Sequence, residues 1–138
     1  MGESATAAEA NDSARACRTI AVDGSAASGK STVGQRLAAE LRYPFLDTGI
    51  MYRAMTVAAL DRELDISDER TLGDLVRSVE MRVELAEPST GKTSRISVDG
   101  VDVTDRLRSQ AVEDAVSLVS QIEAVRDAMV ALQREIAG

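Results

Sequence analysis

Residues Gly24-Ser25-Ala26-Ala27-Ser28-Gly29-Lys30-Ser31 satisfy the pattern G-x-x-x-x-G-K-[ST] at every fixed position, and Thr32 follows. Gly24 and Gly29 permit backbone angles and a closeness of approach that a side chain would prevent. Successive amides of the loop can then face phosphate oxygens, and the positive end of a helix starting near Lys30 adds to that field. Lys30 is placed to reach the β- and γ-phosphates of a nucleoside triphosphate, and the Ser31 hydroxyl to face Mg²⁺. The bland alternative is a Gly/Ser/Ala turn that matches by chance. The strand-like run Thr19–Val22 before the loop and the helical run after it argue against that. The motif alone does not separate a GTPase, a motor and a small-molecule kinase.

A second cluster follows about one helix later, in Phe45-Leu46-Asp47-Thr48-Gly49-Ile50-Met51-Tyr52-Arg53. A strand ends at Asp-Thr-Gly, and a helix opens with Tyr52 and Arg53 in its first turn. Arg53 offers a two-pronged fork to a phosphate, and the helix start offers amides. On spacing alone, Thr48 fits a helix N-cap and Arg53 a surface charge equally well.

The elements that must position these groups can be read from apolar periodicity. Thr19–Val22 reads as a buried strand and Tyr43–Leu46 as a second, with Pro44 near its start. Val33, Leu37 and Leu41 mark a helix over residues 31–41, and Met51, Met55 and Ala59 mark another over residues 51–60. Asp65–Asp68 is a loop and helix entry, followed by the stripe Leu72, Leu75, Val76 and Val79. The period then changes. Met81–Leu85 and Ser94–Val98 alternate as strands do, Pro88–Lys92 is a turn, and Asp99-Gly100 signals a hairpin before Val101–Val103. Asp99 and Asp102 therefore read as hairpin residues rather than metal ligands. Helices follow over residues 110–120 and 123–136, broken near Gln121-Ile122, with apolar stripes suited to a core, and Gly138 suits a helix end.

Length and composition narrow the function. The 138 residues suffice for a domain with a core, and 16 basic against 23 acidic residues leave a net charge of −7. That balance argues against a general binder of nucleic acid or membrane surfaces, yet leaves room for a nucleotide pocket. No apolar run approaches the roughly 20 residues of a membrane span, and the start of the chain lacks the basic and apolar parts of a secretory signal. Residues 1–16 are small, polar and acidic and read as a disordered tail. Cys17 is the only cysteine and there is no histidine to activate it, so it reads as a strand residue in a reducing, cytoplasmic setting.

Taken together, residues 18–137 resemble the N-terminal part of the bacterial cytidylate kinase family of nucleoside monophosphate kinases. The resemblance lies in Asp23–Thr32 (DGSAASGKST), in Leu46–Ala54 (LDTGIMYRA), in Val98–Arg108 (VDGVDVTDRLR), and in Ser117 and Arg126 on the two helices after it. It implies an α/β fold of the P-loop type: a parallel sheet with flanking helices, plus a small antiparallel inserted sheet that binds the nucleoside monophosphate. The division it suggests is a tail at 1–16, the first part of the P-loop core at 17–64, and the insertion with its following helices at 65–138. It also implies transfer of the ATP γ-phosphate to CMP or dCMP with Mg²⁺. ATP would lie in Gly24–Thr32, with Ser31 facing the metal. The acceptor would lie against Thr48, Tyr52, Arg53, Ser117 and Arg126. Arg53 and Arg126 would hold its phosphate, and Ser117 would help read the cytosine. With Lys30, the two arginines would be the catalytic set. Arg108 reads as structural or as a rim charge, and a catalytic part for Asp23 is not favoured.

Two features depart from the family pattern. Ser25 stands where proline is usual, which loosens the loop. The family's DGRD segment and arginine-rich lid are absent, so the chain resembles about three-fifths of a member. It reads as a truncation, a fragment or a degraded copy. The strands at 19–22 and 43–46 would then show open edges through which copies of an otherwise monomeric protein could associate. The rival reading is a nucleotide-binding or interaction fragment without turnover. A GTPase is disfavoured by the lack of an N-K-x-D segment, and an adenylate or uridylate kinase by the inserted sheet.

Overall fold

The computed structural model describes residues 19–23, 29–86 and 93–138. The acidic tail at 1–16, Cys17, the loop positions Gly24, Ser25, Ala26, Ala27 and Ser28, and the turn at Pro88–Lys92 lie outside the described residues.

A long alanine-containing helix is what a crowded core needs, because small side chains let neighbours approach without losing helix propensity. Residues Gly49–Asp61 form that helix, and seven of its thirteen residues are buried, among them Met51, Met55 and Val57. The single buried polar side chain in it, Thr56, donates from Oγ1 to the Tyr52 carbonyl at 2.8 Å, which removes the penalty of burying a hydroxyl. Numbering helices in chain order, Lys30–Leu41 is α1, Gly49–Asp61 is α2 and Glu69–Ser78 is α3. Helix α3 starts where Asp68 stands: its Oδ1 accepts from the amides of Arg70 (3.0 Å) and Thr71 (3.3 Å), as an N-cap should. Helices α4 (Gln110–Gln121) and α5 (Glu123–Ala137) are divided at Ile122, which is extended and buried. Ser109 caps α4, and Gly138 closes α5 with φ +80°.

The inserted sheet is a three-stranded antiparallel meander in the order β1 (Met81–Glu84), β2 (Arg95–Val98), β3 (Val101–Asp102). Its register pairs Met81 with Val98, Val83 with Ile96, and Val98 with Val101. Alternation puts Ile96 and Val98 inward and leaves Arg95 outside. Asp99 (φ 50°) and Gly100 (φ 82°) both take positive φ, the condition for a two-residue hairpin of the primed type. Asp99 also fastens the hairpin: Oδ1 accepts from the Glu80 amide at 2.8 Å and Oδ2 from Arg62 at 2.9 Å. Thr104 closes the far end, its Oγ1 accepting from the Ile96 amide at 2.9 Å. A short 3₁₀ turn, Thr104–Arg106, follows, and Arg106 pairs two-pronged with Asp61 at the end of α2, at 2.9 and 2.5 Å.

One hydrophobic core joins these parts. Met51 and Met55 of α2, Leu72 of α3, Ile96 of β2, Val119 of α4 and Val125 of α5 lie within it, so the packing runs without interruption across residue 64.

The two strands expected before and after the glycine-rich loop are not seen. Residues 19–23 and 43–47 carry no regular secondary structure, and the one sheet among the described residues is antiparallel. A strand is defined by its ladder of hydrogen bonds to a neighbour, and neither segment has such a ladder. Ile20 (48% exposed) and Val22 (40%) accordingly face solvent. The second segment is better anchored: the Phe45 carbonyl accepts from Ser94 Oγ at 3.2 Å and Leu46 packs on the core.

Candidate active site

Helix α1 begins at Gly29, whose φ of +83° is open to glycine and unfavourable to other residues. The Val33 amide donates to the Gly29 carbonyl at 3.0 Å, the first bond of the helix. The start of α1 differs from those of α3 and α4. No side chain caps it, and no acidic residue lies in its first turn. Ser31 is half-buried in that first turn, and Thr32 is exposed. These residues suit a triphosphate and its metal: Ser31 would hold Mg²⁺, which would draw charge from the phosphate oxygens.

The second cluster sits on better-defined ground. Thr48 occupies the N-cap position of α2, yet its side chain makes no capping bond. Asp47 does that work, with Oδ1 accepting from the Gly49 amide at 3.0 Å. Tyr52 is half-buried and packs on the core. Arg53, one position on, reaches from α2 to the chain between the 3₁₀ turn and α4. Its Nη1 donates to the Leu107 carbonyl at 3.2 Å and to Glu113 Oε1 at 2.5 Å, and its Nη2 to Glu113 Oε2 at 3.3 Å. The Arg53 side chain is 16% exposed and that of Glu113 41%. The hydrogen bond from Arg53, and secondly its charge and that of Arg108, hold the Glu113 carboxyl below the usual carboxylate range.

Ser117 lies one turn beyond Glu113 on the same face of α4, since residues four apart are neighbours on a helix. Arg53 and Glu113 thus meet where α2 packs on α4, and Ser117 is the residue one turn further along α4. Arg126 stands exposed on α5, and among the described residues no hydrogen bond or ion pair joins it to that group. Arg108 is exposed beside Glu113, and Asp23 is exposed at the end of its segment. Asp102 accepts from Arg95 at 2.7 Å and from the Thr104 amide at 2.8 Å, which ties it, like Asp99, into the hairpin.

Sequence reading passed over Glu113, Leu107 and Asp47. Glu113 carried one usable signal, its position four residues before Ser117. Leu107 acts through its carbonyl, which residue type does not disclose. Two concavities exist elsewhere. One of about 420 Å³ lies between α3 and α5, against Arg70, Gly73 and Ala124; one of about 200 Å³ lies between the end of α2 and the hairpin. No residue expected to touch nucleotide lines either.

An uncapped helix start after Gly29, an arginine fork in the first turn or so of α2 and a small antiparallel sheet are the features to set beside known proteins. The cytidylate kinase family pattern matches residues 20–138. The chain is 48% identical over 119 residues to a cytidylate kinase of Geobacillus kaustophilus (strain HTA426). It is 43% identical over 118 residues to one of Bacillus pumilus (strain SAFR-032), and 44% identical over 121 residues to one of Pelotomaculum thermopropionicum. Each alignment covers 86% of this chain and 51% of the relative. The chain belongs to the cytidylate kinase family, and it spans about half the length of the curated relatives it matches, somewhat less than the three-fifths expected from its motifs.

Proposed function

We propose that this chain carries the ATP loop and much of the acceptor site of a cytoplasmic cytidylate kinase, which transfers the ATP γ-phosphate to CMP or dCMP. The observation that carries the reading is Arg53. Its guanidinium is largely withdrawn from water, aimed by the Leu107 carbonyl, and forked onto an anion one helical turn from Ser117. That is the geometry a monophosphate needs, and Thr48, Tyr52 and Arg126 would complete the acceptor's surroundings. On the donor side, Gly24–Thr32 would cradle ATP, with Lys30 on its β- and γ-phosphates and Ser31 on Mg²⁺. Phosphoryl transfer needs alignment and neutralised charge more than covalent help from the protein. Lys30, Arg53 and Arg126 supply the charge. No helix among the described residues is long and apolar enough to cross a membrane.

Steady-state transfer from Mg-ATP to CMP, dCMP, UMP and AMP, offered in turn, tests the reading. Turnover with CMP or dCMP is expected, falling by at least about 10²-fold in Lys30→Ala, the scale on which removing one charge-stabilising donor acts. Turnover with AMP alone would refute the cytidylate assignment. A second reading, nucleotide binding without turnover, is favoured by the exposure of Ile20 and Val22 and by the lack, among the described residues, of any strand pairing for residues 19–23. It predicts that CMP binds, as read by calorimetry, while no transfer occurs.

A further inference from the structure

We propose that Glu113 is a built-in competitor for the acceptor's phosphate: it occupies the Arg53 fork in the empty protein and must be displaced when a nucleoside monophosphate binds. The proposal deepens the reading of Arg53 as the phosphate ligand and rests on it.

The geometry of the pair carries the argument. Glu113 uses both carboxylate oxygens on both terminal nitrogens of Arg53, at 2.5 and 3.3 Å. A phosphate gripped by the same fork would need those same protons. The two partners differ in mobility. Arg53 comes from the buried helix α2 and is held a second time by the Leu107 carbonyl. That neutral acceptor remains when Glu113 leaves, so the guanidinium keeps its aim. Glu113 stands on the exposed side of α4, with 41% of its side chain open to water, and can swing outward into solvent. A carboxylate that stayed beside an incoming phosphate would repel it, so exchange is favoured over sharing. A ligand with a phosphate can replace the lost ion pair, whereas an unphosphorylated nucleoside cannot. Glu113 thereby filters for the phosphorylated form of the acceptor.

The test is calorimetric titration of the purified chain and its Glu113→Gln variant with CMP, with AMP and UMP, and, separately, with cytidine. Glutamine keeps the shape and removes the charge, and the site is exposed enough that folding should survive; circular dichroism checks this, and Glu113→Ala serves as a second variant. Exposed ion pairs are weak, so the expected gain in CMP affinity is about two- to five-fold. Cytidine binding should not change. That split is one a merely structural role for Glu113 would not produce. Unchanged or weaker CMP binding in both variants, with the parent chain binding CMP normally, would overturn the proposal and leave the kinase reading standing. A gain of the same size for AMP, in a chain indifferent to CMP, would overturn the cytidylate reading and keep the competition at Arg53. Failure of parent and variants alike to bind any nucleoside monophosphate would overturn both.

Discussion

Helices α1 and α2 each begin at a glycine-containing motif, but they are held in different ways. Helix α2 buries seven residues and packs against the sheet, α4 and α5. Among the residues of α1 whose burial is described, one is buried, Gly34, against which the Phe45 ring lies so closely that an added Cβ would meet it at 2.7 Å. Its apolar Val33 remains 58% exposed. Motif strength and burial are therefore separate properties. The start of α1 is set locally, by the positive φ of Gly29 and the first helical bond from Val33, and that requires few long-range contacts. At α2 a side chain must meet both a carboxylate of α4 and a carbonyl of the chain before it. Only a packed core can do that, because α2 and α4 must hold their spacing to a fraction of an ångström for Arg53 to reach both Leu107 and Glu113.

The sharpest way to break this contrast is to truncate one apolar side chain in each helix. Met55→Ala, in a fully packed site, should cost about 2–5 kcal/mol of unfolding free energy. Val33→Ala should change it by less than about 0.5 kcal/mol. Urea denaturation followed by circular dichroism measures both. Equal effects would mean that α1 is packed as tightly as α2, and the distinction between the two halves would fall.

The same contrast governs what could be read from residue types. Helices α2 to α5 are legible because each has an apolar stripe at helical spacing that finds a partner, and Asp68 and Gly138 mark helix ends, as Asp99-Gly100 marks the hairpin, by local rules of capping and turn geometry. The strands at 19–22 and 43–46 were read from equally apolar runs. They are not strands here, because strand identity belongs to a pair of segments and their apolar character alone cannot provide the neighbour. Similarly, Arg53 was legible from its place after Asp-Thr-Gly, whereas its partners were not. Glu113 and Leu107 come from the far side of the hairpin, joined to it only by tertiary packing.

A finer comparison uses two glycines in nearly the same conformation. Gly29 has φ +83° and Gly100 φ +82°, and an added Cβ would meet nothing within 4 Å at either. Alanine should therefore impose a similar backbone strain at both, about 1–2 kcal/mol. The consequences should differ. At Gly100 the strain falls on the hairpin that joins β2 to β3 over the core, so Gly100→Ala should lower the global urea midpoint. At Gly29 it falls on the start of a weakly packed helix. Gly29→Ala should leave the global midpoint nearly unchanged and weaken Mg-ATP binding, read by calorimetry. A drop in global stability at Gly29 as large as at Gly100 would show that the loop is coupled to the core.

The smallest effect expected is a pH dependence confined to the acceptor-side sheet. Hydrogen bonds from Thr104 and Arg95 lower the Asp102 carboxyl from 3.8 to about 2. A carboxylate whose folded value is depressed adds stability that is present above its unfolded value and lost as pH falls through its folded one. Asp102→Asn should therefore reduce stability at neutral pH. The gap to the parent chain should narrow below about pH 4 and close only well below about pH 2, once the folded Asp102 is protonated as well. Comparing the two chains at each pH isolates this group from Asp61 and Glu113, which are also depressed by arginine partners. Carboxyl carbon NMR shifts give the direct check. An Asp102 midpoint at the ordinary value near 3.8 would mean that Arg95 and Thr104 do not grip it in solution, and the hairpin would lose one of the ties that set it apart from the start of α1.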